Sequence, residues 1–153
     1  MPRAMFRRIL VPTDGSALST RAAAYAIKLA QSNGARIVAL HVIPFFTPSV
    51  YADGVVPYAE LYSSAEYKKA TETYARRMLG RVAKRAAAAK VPCEVACPTA
   101  EAPWKGITTE ARRRKCDVIV MASHGRGGLK GLILGSETTK VLAHSRTPVL
   151  VTR

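Results

Sequence analysis

The sequence predicts an α/β fold in which one open sheet of five parallel strands has helices on both faces. Short apolar runs of strand length alternate with segments of helical periodicity, and turn residues bound each run. The links between the first strand, the first helix and the second strand are short. Such a β-α-β unit requires parallel pairing and a right-handed crossover, and its continuation along the chain indicates a parallel sheet.

The predicted elements follow one another through the whole chain. We predict strands over residues 9–12, 36–43, 92–97, 118–122 and 148–152. We predict helices that begin after Ser16, at the capping box of residues 63–66, at Pro103 and at Ser136, and that end near Gly34, Ala89, Lys115 and His144. The third strand alternates only weakly, which suits the edge of a sheet.

One long segment, Pro44 to Tyr62, interrupts this alternation. It contains three prolines and five aromatic residues. A loop of this length inside a compact domain is usually functional. It can form a lid over a site or a subunit contact, or its aromatics can cover one edge of the core. The sequence leaves these alternatives open.

Composition and charge place the chain among globular proteins with a single domain, residues 1–153. No apolar run approaches the roughly 20 residues that cross a bilayer, and the basic N-terminus lacks the features of a signal peptide. The net charge of +14 suits nucleic acid, an anionic membrane surface or nucleotide phosphates. We favour a solvated basic surface, because the charges lie along helices without interleaved aromatics.

The three cysteines, Cys93, Cys97 and Cys116, show neither a CxxC pair nor the spacing of zinc ligands. Two residues four apart on one strand are about 13 Å apart, so Cys93 and Cys97 cannot form a disulfide with each other. We therefore expect reduced thiols, which favour a cytoplasmic location.

Two strand ends carry residues suited to ligand binding. The turn at residues 12–15 follows the first strand, and a glycine-rich loop follows the fourth strand. Ligands of open α/β sheets bind beyond the carboxyl ends of the strands, where the strand order reverses. If these two strands are neighbours, the strand order is 3-2-1-4-5 and both loops border one crevice.

The glycine-rich loop predicts a phosphate cradle, because it leads into a helix start at Gly135-Ser136. It is not a Walker A loop, since no glycine is followed by Gly-Lys-Ser/Thr at the required spacing. It also fails the dinucleotide fingerprint, because Gly125 and Gly127 fit but Lys130 occupies the third glycine position.

The chain resembles the universal stress protein family, small Rossmann-like α/β proteins of which many bind ATP. The family signature is Gly, two residues, Gly, nine residues, Gly and then Ser or Thr. Here Ala122 replaces the first glycine, Gly125 is the second, and nine residues separate it from Gly135-Ser136. Segments along the rest of the chain carry the same resemblance: Ile9–Ser16, Leu40–Ile43, Asp117–Met121 and Thr147–Val151.

This resemblance implies an ATP site, with Mg²⁺ as a possible companion. Adenine and ribose would meet Pro12, Thr13, Asp14 and the backbone at Val42. The triphosphate would pass Met121, Ala122, Gly125, Gly135, Ser136 and Glu137, with Thr138 close by. Arg126 and Lys130 can add positive charge or point to solvent.

Three residues of this implied site have alternative interpretations. Asp14 can bind ribose or a metal through water, or it can cap the first helix. Ala122 is a small obstruction if its φ is negative and a serious one if its φ is positive. Glu137 favours the helix start electrostatically, but it would repel phosphates if it turned towards them.

The histidines offer no catalytic site from sequence alone. His124 follows Ser123 in the loop and lacks an identifiable nucleophile or orienting partner, so we predict that it orients the loop through a hydrogen bond. We interpret His41 as a strand residue and His144 as a residue at a helix end.

The leading hypothesis from the resemblance is an ATP-binding stress-response or signalling protein that acts through conformation or partner choice, with at most slow ATP hydrolysis. One alternative is a module that uses its basic surface to bind nucleic acid or an acidic partner, without nucleotide. An enzyme that activates a substrate with ATP ranks last. The apolar fifth strand would leave an unpaired edge, and we expect it to pair across a two-fold axis in a homodimer.

Overall fold

The computed structural model describes residues 4–45, 64–125 and 133–153. These residues form seven strands: β1 Arg8–Pro12, β2 Arg36–Leu40, β3 Ile43–Pro44, β4 Cys93–Ala96, β5 Thr99–Ala100, β6 Val118–Ala122 and β7 Val149–Thr152. They also form four helices: α1 Ala17–Asn33, α2 Ser64–Ala88, α3 Pro103–Arg113 and α4 Ser136–His144.

The main sheet has five parallel strands in the order β4-β2-β1-β6-β7. This is the predicted order 3-2-1-4-5, counted over the five predicted strands. The order reverses between β1 and β6, which pair with Ile9 opposite Val118 and Leu10 opposite Ile119. The α/β prediction is therefore confirmed, together with the neighbourhood of the two strands whose ends carry the candidate loops.

A second, two-stranded sheet of β3 and β5 was not predicted. The predicted strand 36–43 is wrong at its end, because β2 stops at Leu40 and His41 lies outside both strands. Backbone pairing resumes where Ile43 N donates to the carbonyl of Pro98 at 2.9 Å. Pro98 has no backbone N–H and cannot donate the next hydrogen bond between the strands. This interruption separates the short sheet from the main one.

The helices cover both faces of the main sheet, as predicted. Because side chains alternate along a strand, Ile9 and Val11 of β1 point to one face and Leu10 points to the other. On the first face they pack against α1 and α2, through residues such as Ala26 and Val82. Leu10 packs with residues of α3 and α4 on the second face.

The ends of α1 follow the predicted signals. The Ser16 side chain caps the helix by accepting from Ser19 N, and Gly34 ends it at a φ of 62°. Helix α2 begins at Ser64, within the predicted capping box at 63–66, whose first residue, Ser63, lies outside the described residues. The segment Pro44 to Tyr62 also lies outside them, apart from its first two residues. No helix in the described ranges is long and apolar enough to span a membrane.

Candidate functional site

A cleft of about 400 Å³ opens at the carboxyl ends of β1 and β6. The β1–α1 turn and the first residues after β6 form two of its walls, and the N-terminus of α4 forms a third. Its lining comprises Pro12, Thr13, Asp14, Ser19, Leu40, His41, Val42, Pro103, Ile107, Met121, Ala122, His124, Gly125, Gly135, Ser136, Glu137 and Thr138. The position agrees with the general rule for ligand sites in open parallel sheets.

Eleven of the twelve residues predicted for the site line this cleft: Pro12, Thr13, Asp14, Val42, Met121, Ala122, Gly125, Gly135, Ser136, Glu137 and Thr138. The twelfth, Arg126, lies outside the described residues, as does Lys130. The structure therefore brings together two motifs that are more than 100 residues apart in the sequence.

The β1–α1 turn is held by a backbone hydrogen bond to β2 and by its own polar side chains. Thr13 N donates to the carbonyl of Leu40 at 2.8 Å, and the Thr13 and Ser19 hydroxyls lie 3.1 Å apart. Asp14 Oδ1 accepts from Ser16 N at 2.9 Å. Asp14 thus braces the turn as an Asx motif, while Ser16 is the residue that caps α1.

Gly125 is the point where the two candidate loops meet. A Cβ at this position would lie 2.5 Å from Asp14 Oδ2, closer than any ordinary contact allows. The missing side chain therefore lets the Asp14 carboxylate approach the loop after β6. Gly15, with a φ of +80°, has its own requirement for glycine, because a Cβ there would meet Met78 Sδ at 2.6 Å.

His41 and Tyr74 support the same turn from outside. His41 Nδ1 lies 2.8 Å from the carbonyl oxygen of Thr13. Because a carbonyl can only accept, Nδ1 carries the proton in this contact. The Tyr74 hydroxyl donates to the carbonyl of Asp14 at 3.2 Å, and its ring meets His41 edge-on with centroids 6.1 Å apart. From the sequence, His41 was interpreted as a strand residue, and this supporting role was not predicted.

Ala122 sits at the end of β6, opposite Thr152 of β7. The residues other than glycine with positive φ among the described ranges are Lys90 and Lys115, so the methyl of Ala122 causes no backbone strain. Ala122 also anchors α4, because its carbonyl accepts from the Thr138 hydroxyl at 2.9 Å. Of the two situations foreseen for this alanine, the structure has the milder one.

The far end of the glycine loop returns closely to β6. Gly135 N donates to the carbonyl of Ser123 at 2.7 Å. A Cβ on Gly135 would lie 3.3 Å from that oxygen and from His124 Cα, which is tighter than a normal contact. Gly135 is also the N-cap of α4 and offers no side-chain cap, so the first N–H groups of α4 have no side-chain acceptor there.

His124 lies on the cleft wall, with Nδ1 3.0 Å from the Ser123 hydroxyl. Its Nε2 is buried and has no hydrogen-bond partner in the structure as described. A buried polar atom without a partner is costly for folding. His124 lines the cleft, and its Nε2 keeps an unused hydrogen-bonding capacity there.

Glu137 does not stand free in the cleft. Its Oε2 accepts from Trp104 N at 2.8 Å, at the start of α3, where the N-cap residue Ala102 makes no side-chain hydrogen bond. Lys140 Nζ lies 3.6 Å from Oε1. The negative charge of Glu137 is therefore offset by the positive end of α3 and by a lysine.

Helix α3 contributes residues that sequence reasoning did not assign to the site. Pro103 and Ile107 line the cleft, although the sequence indicated Pro103 only as the start of this helix. Gly106 allows this approach, because a Cβ there would lie 2.6 Å from Val42 Cγ2. No sequence signal connects α3 with the strand ends; the glycine inside a helix was the available hint.

The chain belongs to the universal stress protein family, whose model matches residues 5–153. A universal stress protein of Thermus aquaticus is 32% identical over 149 residues, which cover 97% of this chain and 100% of the relative. Among solved structures, the hypothetical protein MJ0577 has a TM-score of 0.76 at 27% identity, over 97% of this chain and 96% of that one. A universal stress protein in complex with cAMP has a TM-score of 0.71 at 25% identity, over 97% and 98% of the two chains.

Proposed function

We propose that this protein binds ATP in the cleft between β1, β6 and α4, and that it acts in stress response or signalling through nucleotide-dependent conformation or partner binding. The observation that carries the proposal is the meeting of the two candidate loops at Gly125 and Asp14, where a Cβ on Gly125 would lie 2.5 Å from the Asp14 carboxylate. The cAMP complex of a similar protein supports an adenine nucleotide as the ligand class.

The cleft fits a nucleotide in size and polarity. Its volume of about 400 Å³ falls within the range of small-molecule sites, roughly 300–1,000 Å³. The apolar wall of Pro12, Met121 and Ile107 suits a base or the ribose carbons. The N-terminus of α4, which lacks a side-chain cap, supplies N–H donors and the positive end of a dipole for phosphate oxygens.

The assignment of roles follows the family resemblance. Pro12, Thr13, Asp14 and the backbone at Val42 would hold adenine and ribose. The triphosphate would pass Met121, Ala122, Gly125, Gly135, Ser136 and Glu137, with Thr138 close by. The orphaned Nε2 of His124 gives a further donor or acceptor on the phosphate side. Mg²⁺ would accompany the triphosphate and screen its charge.

A substitution at Gly135 tests the proposal. Gly135→Val places a branched side chain against the backbone of residues 123 and 124, whereas Gly80→Val is a matched control because a Cβ on Gly80 meets nothing within 4 Å. Calorimetric titration should show one ATP per chain for wild type and Gly80→Val, and at least about tenfold weaker binding for Gly135→Val. Absence of heat with wild type, or equal affinity in all three, contradicts the proposal.

We also propose a homodimer through β7. This strand is an edge of the main sheet, and Leu150 on it is an exposed apolar side chain, 44% accessible to solvent. An exposed apolar edge strand is a template for pairing with a second copy. Sedimentation should give a dimer for wild type and a monomer for Leu150→Lys; a wild-type monomer would contradict this assembly.

The cytoplasm and a single domain over residues 1–153 complete the proposal. All three cysteines are free thiols, which is the usual state in a reducing compartment. The family match over residues 5–153 supports one domain. Fractionation of cells that make the tagged protein tests the location, and limited proteolysis that leaves one resistant fragment tests the domain.

A further inference from the structure

The charge of this protein is divided unevenly between the two faces of the sheet. On the face covered by α3 and α4, three cations have acidic partners: Arg113 and Arg114 contact Glu110, and Lys140 lies near Glu137. The helix pair on the other face shows a different pattern. The α1 sequence contains no acidic residue, and the two acids of α2, Glu66 and Glu72, lie in its first half.

Six exposed cations form what we call the α1–α2 basic face: Arg21, Lys28, Arg77, Arg81, Lys84 and Arg85. On α2, the spacing i, i+4, i+7 and i+8 from Arg77 places four of them on one outward stripe, opposite the buried positions such as Leu79 and Val82. On α1, Arg21 and Lys28 are seven residues apart and share a stripe in the same way.

The two stripes belong to neighbouring helices. Gln31 Nε2 donates to the carbonyl of Ala89 at 3.0 Å, which joins the end of α1 to the residue that follows α2. Packed helices lie about 8–10 Å apart, so the cations of both stripes form one surface. None of the six has a carboxylate within 4.0 Å in the part of the chain that the structure describes.

We propose that the α1–α2 basic face binds the phosphate backbone of double-stranded nucleic acid without reading its sequence. From Arg77 to Arg85 the stripe is about 12 Å long at the helical rise of about 1.5 Å per residue. A duplex carries one negative charge per roughly 1.7 Å of its axis, which gives about seven charges over this length. Four of the six cations are arginines, whose guanidinium groups pair with phosphate through two hydrogen bonds.

The chemistry of the face favours a duplex over other anionic partners. Single-strand binders stack successive bases on several exposed aromatic rings. On this face there is one such ring among the cations, that of Tyr25 on α1, which is 51% exposed, and residues 77–85 of α2 contain no aromatic residue. Helices that lie on membranes present a broad apolar stripe to the lipid, whereas the apolar stripes of α1 and α2 are buried in the core.

The far end of this face, at Arg81 and Arg85, lies away from the nucleotide cleft. Tyr74 of α2 touches the cleft turn at Asp14, and Arg81 and Arg85 lie about two and three turns further along the helix. The duplex proposal therefore does not depend on ATP binding, and charge reversal at these two arginines leaves the cleft residues in place.

The test compares two variants that change the net charge equally. Arg81→Glu/Arg85→Glu reverses part of the basic face, and glutamate has a helix propensity close to that of arginine. Arg112→Glu/Arg146→Glu is the control, because both arginines are exposed and lie outside the basic face, on α3 and before β7. Binding of a labelled DNA or RNA duplex of about 20 base pairs is measured by anisotropy at several salt concentrations.

With six phosphate contacts, the logarithm of the binding constant should fall against the logarithm of salt with a slope of about −5. The Arg81→Glu/Arg85→Glu variant should lose about two units of slope and about 60-fold in affinity near 0.1 M salt, since each lost contact costs about eightfold there. The control should bind nearly as wild type, and both variants should bind ATP as wild type does.

Several results would overturn the proposal. One is the absence of duplex binding at low salt, and another is equal weakening by the two double variants, which would indicate net charge rather than this surface. Binding to vesicles that contain phosphatidylserine, or to polyglutamate, with no binding to either duplex would assign the face to a membrane or an acidic protein instead. If DNA and RNA duplexes bind equally, the phosphate backbone that they share is the ligand. If one of them binds more tightly, that nucleic acid is the preferred partner.

Discussion

Replacement of Glu137 by alanine should destabilise the protein through helix α3, although Glu137 belongs to α4. Its carboxylate is the acceptor that the structure places on Trp104 N, and α3 has no cap from its own N-terminal residue. A hydrogen bond to a charged group contributes about 1.5–3 kcal/mol, and loss of a helix cap costs about 0.5–2 kcal/mol. Because the side chain is 36% exposed, water screens part of this contribution, and we expect a loss of about 1–2 kcal/mol.

This loss corresponds to a fall in Tm of about 2–8 °C for a chain of this size. Glu137→Gln should lose about half as much, because an amide oxygen still accepts from Trp104 N while the charge is gone. Glu101→Ala is the control: Glu101 also stands just before α3 and is 71% exposed, and its ion-pair partner within the described ranges is Lys105 on the surface. We expect a change below about 0.5 kcal/mol for it.

Urea unfolding measured by tryptophan fluorescence reports on α3 directly, because Trp104 lies in this helix and is the one tryptophan of the chain. If Glu137→Ala is as stable as Glu101→Ala, the Glu137 carboxylate contributes nothing to the stability of α3, which contradicts this prediction. If Glu137→Gln binds ATP more tightly than wild type, the negative charge of Glu137 repels the phosphates. In that case Glu137 stabilises the fold but weakens ATP binding.

Three further outcomes follow from the structure. Hydrogen bonds from Arg113 and Arg114 hold the pKa of Glu110 below its usual 4.5. The ionised Glu110 therefore stabilises the fold above pH 4.5, and this stabilisation is lost as the pH falls through the lower folded pKa. A Glu110→Gln variant should have a lower free energy of unfolding than wild type at pH 7, and the two values should converge in acid. Burial raises the pKa of Cys116 to about 11, so alkylation followed by mass spectrometry should modify exposed Cys97 first and Cys116 last. His124→Phe should weaken ATP binding more than Ser123→Ala in calorimetry, because it removes the orphaned Nε2 as well as the Ser123 contact.

The strand order was predictable because two separate sequence signals pointed to the same edge of the sheet. The turn at residues 12–15 and the glycine loop each suit a ligand, and a shared site requires their strands to be neighbours. Parallel strands buried on both faces also give long apolar runs that are easily found in a sequence. The observed pairing of β1 with β6 confirms that inference.

Other features depended on contacts that sequence patterns do not encode. The β3–β5 sheet consists of two-residue strands, which are too short to show any periodicity. The position of Glu137 was recognised, but its partner lies 33 residues away at the start of α3. The same applies to His41, whose ring supports Thr13 through a hydrogen bond that arises only where β2 ends.

Native mass spectrometry of the protein in the presence of ATP tests the central proposal most directly. We expect one ATP per chain on wild type and on Gly80→Val, with the nucleotide lost from Gly135→Val, whose new side chain meets the backbone of residues 123 and 124. A wild-type chain that remains free of nucleotide, or the same ATP occupancy on all three proteins, would contradict it.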